Sequence, residues 1–438
     1  MSVALAELLA GDGYLSYAYG YPHKTAYRPL DPPVSLAQAW SGERRDALFV
    51  YAHVPFCEQR CGFCNLYTQA QPAAEVEAAW LAALERQSAL LRAALASPAG
   101  PPRAQRFAVG GGTPTWLEPA ALDRVLRVVR TWAAPDAPGT VEASPGTLDD
   151  ERAALLRAHA VSRVSLGVQS FSPGESAAVQ RAQTVAAVEA AMARVAWATT
   201  RNVDLIYGIP GQDAGSLRAS IDAAIGLGAN ELYLYPLYVR PLTGLGRRGV
   251  DPARSRLGLY RAGRDHLRTC GWTQATMRCF RAPGTPVESG TPWRCQVDGM
   301  VGLGVGARSY TRTLHYAAPY SVAQSAVRAG IAAWCARTDA AHLHADHGVR
   351  LGPDEERRRF VLLTLLEAGL DRAEYRAAFG GDPLDDLPQL AEAIDAGLVS
   401  ASAAALTLTE AGTERADVLG YWLQSDAVRA ARRAWVGA

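Results

Sequence analysis

Six apolar runs of strand length, alternating with stretches of helical spacing, constrain the fold of this chain more than any other feature. The runs are ALFVYAHV (47–54), RFAVG (106–110), GTVEA (139–143), VSRVSLGVQ (161–169), NVDLIYG (202–208) and NELYLYPL (230–237). Between the first two, residues 73–97 place Val76, Trp80, Leu81, Leu84, Leu91 and Leu95 near a helical period. Residues 119–133, 148–159, 184–199 and 214–227 read as helices in the same way. This alternation implies right-handed crossovers and a parallel sheet, apolar on both faces.

The expected fold class is therefore α/β. A partial (β/α)6 barrel is favoured over an open doubly wound sheet by where the polar residues fall. Cys57, Cys61 and Cys64 follow the first strand, GGGTPT follows the second, Glu142 ends the third, Gln169 ends the fourth and Asp204 lies on the fifth. The carboxyl ends of barrel strands converge on one face, so these groups would meet there.

Other segments surround this barrel of residues 46–240. Residues 1–45 form a Tyr- and Pro-rich lead-in, with YGYPHKTAYRPLDPP too rich in turn-formers for one regular element. Lys24 within it is the single lysine among 44 basic residues. With His23, Tyr27 and Arg28 it reads as a substrate-contacting strip, the alternative being a surface turn. Residues 241–350 extend the barrel, with strands expected near 274–280 and 300–310. Residues 351–438 resemble a winged helix: helices over 354–367, 371–379 and 387–396, a hairpin in GLVSASAAALTLT and a last helix from about 409. The third helix carries Asp385, Asp386, Glu392 and Asp395 and no basic residue, which argues against a nucleic-acid partner and for a structural or substrate-covering role.

Composition narrows the setting. A net charge of +1 over 438 residues gives no global attraction to nucleic acid or to an acidic membrane, and no apolar segment is long enough to span a bilayer. Seven cysteines, three of them clustered, suit a reducing compartment, so a soluble cytoplasmic protein is expected.

The cluster, CEQRCGFC, has the spacing C-x3-C-x2-C. Thiolates are soft ligands for zinc, copper(I) or iron–sulfur clusters. A structural zinc site needs a fourth ligand, which Asn65 and Leu66 cannot supply and Cys279, Cys295 or His315 would have to. A cubane held at three corners instead leaves one iron open to a ligand. VGGGTPT (109–115) lacks the G-K-[S/T] of a phosphate loop, but its glycines let a ligand approach the backbone closely.

C-x3-C-x2-C, with Phe63 before the last cysteine, resembles the signature of the radical S-adenosylmethionine (SAM) superfamily. YAHVPFCEQRCGFCN, VGGGTPT, EASPGTL, SLGVQSF, VDLIYGIPGQ and GLGVGARS resemble, in order, the anaerobic coproporphyrinogen III oxidase-like branch, which includes haem chaperones and radical methyltransferases. The resemblance implies a [4Fe–4S] cluster on Cys57, Cys61 and Cys64 whose open iron chelates SAM. It also implies a one-electron donor such as flavodoxin or ferredoxin, and hydrogen abstraction from a small organic substrate. The cofactor contacts it implies are Tyr51, Phe63, Gly111, Gly112, Thr113, Glu142, Gln169, Arg181 and Asp204. Tyr51, Glu142, Tyr238 and Lys24 are the residues expected to take part in the reaction, and the branch's methyltransferases imply room for a second SAM.

Two departures leave the substrate open. No further cysteine follows the triad in CGFCNLY, and YLSYAYGYPHKTAYRPL does not match the oxidase's substrate-covering arm. Oxidation of a tetrapyrrole or other small molecule, methylation or cyclopropane formation with a second SAM, and haem carriage without turnover are the outcomes to separate. Tyr233, Tyr235 and Tyr238 either line a cavity or pack in the core. His342, His344 and His347 read as a polar loop, solvated or holding a second metal.

Overall fold

The structure, a computed structural model, describes residues 4–11, 13–15, 17–252, 255–286 and 298–435. Its centre is a sheet whose strands are β1 (Arg28–Ser35), β2 (Leu48–Val54), β3 (Ala104–Gly111), β4 (Gly139–Ala143), β5 (Val161–Gln169), β6 (Thr200–Tyr207), β7 (Glu231–Pro236), β8 (Thr273–Gln274), β9 (Cys279–Arg281), β10 (Met300–Leu303), β11 (Arg308–Tyr310), β12 (Leu314–Ala317) and β13 (His344–Arg350). They lie in the order β1-β13-β12-β11-β10-β2-β3-β4-β5-β6-β7-β9-β8, and β1 and β8 are unjoined edges, so the barrel is open. The six expected strands β2 to β7 run parallel in chain order. A seventh parallel strand, β10, comes from the region expected only to extend the barrel and pairs with β2.

Helices α1 (Ala74–Ala94), α2 (Pro119–Arg130), α3 (Asp150–Ala158), α4 (Val185–Arg194) and α5 (Ala214–Gly226) make the crossovers between β2 and β7. The expectation of a sheet apolar on both faces fails on one of them. Val50, Val54, Phe107, Val109, Val141, Val164, Leu166, Val203, Leu205, Leu232 and Leu234 are buried in the main core. Burying each such side chain contributes about 1.5–3 kcal/mol. Apart from Phe49 and Ile206, the alternate residues, which share the other face, are polar or small: Tyr51, His53, Ala108, Gly110, Thr140, Glu142, Arg163, Ser165, Gly167, Asn202, Asp204, Tyr233 and Tyr235. That pattern belongs to a sheet whose concave face is a chamber.

Three local expectations change. The Pro-rich lead-in contributes a regular strand: β1 contains Pro29, Pro32 and Pro33 and pairs with β13, which the edge position permits because proline cannot donate to a second neighbour. The histidine run is not a loop. His342 ends a short helix with its ring against Trp334, and His344 and His347 lie in β13, where three-residue spacing sends side chains to opposite faces. The helix expected over 387–396 is shorter, Leu390–Asp395, and a separate short helix, Pro383–Asp386, precedes it, because Pro388 forces Leu387 out of the helical region.

Leu370–Asp371, Val399–Ala401 and Ala405–Leu408 form a three-stranded sheet beside those helices and the longer Pro353–Glu367. The core there contains Phe360, Leu363, Tyr375, Leu390, Leu406, Leu419 and Trp422, and also Leu5, Tyr21 and Ala26 from the start of the chain. The acidic third helix has structural partners: Glu392 accepts from Leu5 N at 2.8 Å and Asp386 accepts from the Tyr375 hydroxyl at 2.8 Å. No helix among the described residues is long and apolar enough to cross a membrane.

Candidate active site

The three cysteines occupy a loop directly after β2. Phe56–Cys57 pairs with Gln69–Ala70, and Gly62 is held between Val179 O and Leu245 N at 2.9 and 2.7 Å, so the loop is fastened at both flanks. Each sulfur has a donor nearby: Thr113 Oγ1 at 3.6 Å from Cys57, Arg181 Nη1 at 3.4 Å from Cys61 and Thr68 Oγ1 at 3.9 Å from Cys64. Burial pushes the Cys57 thiol up to about 12 and raises that of Cys61, so deprotonation here requires a bound cation.

The spacing of the sulfurs discriminates between metals. Ligands on one zinc ion lie about 3.8 Å apart, given Zn–S near 2.3 Å and tetrahedral geometry. Among the described residues, the single group of three or more ligand atoms within 4.8 Å of one another is Asp222, His266 and Cys270, so the triad is more open than a one-ion site. Cys279 Sγ instead contacts Glu231 Oε2 at 3.6 Å, His315 Nε2 lies 2.9 Å from Arg359 Nη1, and Cys295 lies outside the described residues. An open triad of donor-flanked thiols fits a multi-iron cluster.

The glycine loop fits against this site without spare room. A Cβ on Gly110 would lie 2.6 Å from Glu142 Oε2, one on Gly111 2.6 Å from His53 Nδ1, and one on Gly112 2.9 Å from Cys57 Sγ. Gly111 also has φ 111°, which only glycine adopts without strain. Its N–H donates to Glu142 Oε2 at 2.9 Å. His53 donates from Nε2 to Tyr67 O at 3.0 Å, leaving Nδ1 to accept from the Tyr51 hydroxyl at 3.3 Å. Burial lowers His53 to about 4, consistent with that neutral tautomer.

Glu142 reaches into the open chamber, where its side chain is solvent-accessible though walls of protein surround it. Desolvation by those walls, opposed by the Gly111 N–H and aided by Asp204, pushes its carboxyl up to about 7. Asp204 accepts from Asn202 Nδ2 at 2.8 Å and Ser165 Oγ at 3.2 Å; burial raises it too. Parallel register brings Glu142 beside Ser165, and Gly167 beside Asp204 and then Tyr233. Gln169 sits at a bulge in β5 with φ 73°, an uncommon backbone for a side chain and one that re-aims it at the strand end. Arg181 bridges Cys61 to β5, donating to the Gly167 carbonyl and to Ser144 Oγ at 3.0 Å. The chamber thus collects Tyr51, Gly111, Gly112, Thr113, Glu142, Gln169, Arg181 and Asp204 around the cysteine loop.

Three further expected residues make contacts of their own. Phe63 packs on an apolar cluster of Val179, Ile206, Ile209, Leu237 and Leu245. The Tyr238 hydroxyl donates to Asp417 and accepts from Arg278 Nη2 at 2.6 Å, in a network joining the barrel to the C-terminal module. Lys24 Nζ lies 3.7 Å over the Tyr320 ring. Sequence reasoning passed over His53 as a residue of the chamber wall; the HVP at the end of β2 was a readable signal for it.

Two family models match: Radical SAM superfamily over residues 51–224 and HemN C-terminal domain over 351–414. The chain belongs to the HemN-like branch of the radical SAM superfamily. Its cofactors are those of the superfamily, a [4Fe–4S] cluster and SAM. Among relatives of this HemN-like chain, the heme chaperone HemW of Mycobacterium tuberculosis is 40% identical over 45% of this chain and 52% of its own. The oxygen-independent coproporphyrinogen III oxidase of Paracoccus denitrificans is 30% identical over 54% of each. The matched region spans about half the length of these relatives. The coproporphyrinogen III oxidase HemN of Escherichia coli shares the fold, with a TM-score of 0.78 at 21% identity over 93% of this chain and 97% of that one.

Proposed function

We propose that this chain is a radical SAM enzyme that removes hydrogen from a small organic substrate bound in the chamber of the open barrel. The observation that carries this reading is the placement of Glu142, Gln169, Arg181 and Asp204 around one chamber with the donor-flanked cysteines on its rim. A cluster on Cys57, Cys61 and Cys64, when reduced, supplies the electron that breaks a carbon–sulfur bond of SAM.

The residues of this chain bind and orient. Gly111, Gly112 and Thr113 give the methionine end of SAM a backbone surface with no side chain in the way. Glu142 and Asp204 accept from its ammonium and ribose hydroxyls, Arg181 offers its guanidinium to the carboxylate, and Gln169 hydrogen-bonds at the end of β5. Tyr51, linked to neutral His53, closes the chamber wall next to Glu142. Phe63, in its apolar cluster, fixes the turn between Cys61 and Cys64. The electron comes from a flavodoxin or ferredoxin.

The test is anaerobic reconstitution, reduction and assay for 5′-deoxyadenosine. Consumption of SAM with matching deoxyadenosine supports the reading; zinc bound in place of iron and sulfide, or SAM left intact by a reduced, fully cluster-loaded sample supplied with its substrate, overturns it. The similarity to a heme chaperone favours haem carriage as the second reading. Stoichiometric haem uptake without deoxyadenosine would establish that alternative. A second SAM, and with it methylation or cyclopropane formation, predicts two SAM consumed per turnover.

A further inference from the structure

The one-ion spacing that the cysteine triad lacks is present among the outer helices of the barrel. Asp222 lies on α5 and His266 on the neighbouring helix Arg256–Thr269, with Cys270 directly after its last turn. An oxygen, a nitrogen and the sulfur of these three residues lie within 4.8 Å of one another, and His266 Nε2 is 2.6 Å from Asp222 Oδ1. The helix repeat accounts for the placement. His266 and Cys270, four residues apart, stack on one face, and Gly263 continues that face one turn earlier. A Cβ on Gly263 would lie 3.3 Å from Leu217 and 3.4 Å from Ile221 of α5, so the two helices meet closely there and Asp222 comes to rest beside His266. Cys270 is fixed by the helix end: its N–H donates to His266 O at 3.0 Å, and that of buried Trp272 to Leu267 O at 2.9 Å.

The three groups have the chemistry of a transition-metal site. Thiolate, imidazole and carboxylate together suit a borderline-soft dication such as Zn²⁺, whereas Mg²⁺ and Ca²⁺ take oxygen ligands. On a tetrahedral zinc these atoms stand about 3.3–3.6 Å apart, which the observed 4.8 Å limit accommodates. The ion takes the place of the proton now held between His266 and Asp222, and exposed Asp222 gives the extra room by turning its side chain. Cys270 loses its thiol proton to solvent on ligation. Unpaired cysteine is among the residue types most often buried, yet Cys270 is exposed, and it is exposed beside a His–Asp pair. The imidazole is the most enclosed of the two paired side chains, 22% exposed against 58% for Asp222, so its Nε2 is held facing the carboxylate.

We propose that Asp222, His266 and Cys270 bind one Zn²⁺, or a dication of the same softness, with water as the fourth ligand. The site is separate from the cysteine triad and takes no part in the chamber. Its ion clamps α5, the crossover between β6 and β7, to the helix Arg256–Thr269. That helix is tied in turn to the C-terminal module, Arg261 to Glu414 at 2.7 Å and Arg268 to Glu410 at 2.9 Å, so the metal braces the seat of that module.

The test is titration of the cluster-loaded full chain with zinc chloride, without SAM or reductant, reading the rate at which iodoacetamide alkylates Cys270 by peptide mass spectrometry and the zinc affinity by competition with a chromogenic chelator. Zinc slows the alkylation saturably at one ion per chain, with iron and sulfide content unchanged, and magnesium chloride does not. Asp222→Asn and His266→Ala each weaken zinc binding by about tenfold or more, since loss even of a partner behind a metal ligand costs that much. Cys335→Ser, a thiol elsewhere on the chain, leaves it unchanged. Alkylation of Cys270 that zinc does not slow, or zinc protection equal in wild type and both variants, overturns the proposal; the second result would mean that the sulfur binds zinc without the other two groups. If one variant misfolds, the other decides. Because the readout is Cys270 itself, the result does not depend on what the cysteine triad holds.

Discussion

Gly112 and Glu142 bracket the place where a ligand meets the cysteine loop, and both make sharp predictions. Gly112 has no room for a methyl group, since its nearest neighbours include the Phe56 backbone as well as Cys57 Sγ. Gly112→Ala should therefore displace the loop and lower cluster occupancy, read as iron and sulfide per chain after reconstitution. The chamber walls around Glu142 push its carboxyl up to about 7, so it holds its proton to a higher pH than an ordinary carboxylate. SAM affinity should rise between pH 6 and 8, and Glu142→Gln should flatten the profile. The sign for stability is opposite. A carboxyl raised above its unfolded value near 4.3 holds extra protons in the folded state, so its contribution to stability declines as pH rises from about 4.3 through 7.

At the scale of elements, the barrel and the C-terminal module are joined by Arg278 of the turn before β9 and Asp417 of the helix Ala416–Trp422. Their side chains are 4% and 1% exposed and 2.6 Å apart, which makes the pair sensitive to loss of one member. Arg278 also stacks 4.1 Å over Tyr17. Asp417→Asn leaves a buried guanidinium without its counter-ion and should destabilise by about 3–5 kcal/mol, seen as a lower urea midpoint. Arg278→Met with Asp417→Leu should recover much of that. This pair also marks the boundary of what the sequence could disclose. The strands, crossovers and motif-bearing strand ends were legible because each is local: an alternating run, a glycine triplet, a cysteine spacing. Register between parallel neighbours then set Glu142 beside Ser165 and Gly167 beside Asp204, in two successive rows of one face, without further information. Arg278 and Asp417 are 139 residues apart with no periodicity to link them, and Tyr238 looked like a chamber residue because its two partners were invisible. The polar concave face was visible in the alternation of β4 to β7 but was outweighed by the expectation for buried parallel strands.

For the molecule as a whole, the start of the chain belongs to the packing of its end. Leu5, Tyr21 and Ala26 sit in the C-terminal core, and the Tyr21 hydroxyl donates to Glu355. Deleting residues 1–27 should leave the barrel sheet in place while exposing the C-terminal module to protease, read as selective cleavage after residue 351 with a fragment that begins at residue 28 persisting. The same arrangement bears on biosynthesis. The partners Leu5 and Glu392 are 387 residues apart, and at about 5–20 residues per second a ribosome needs roughly 20–80 s to deliver the second after the first. Throughout that interval Leu5, Tyr21 and Ala26 lack the core that covers them, so sequestration by a chaperone, or slow translation, should govern the yield of correctly assembled chain.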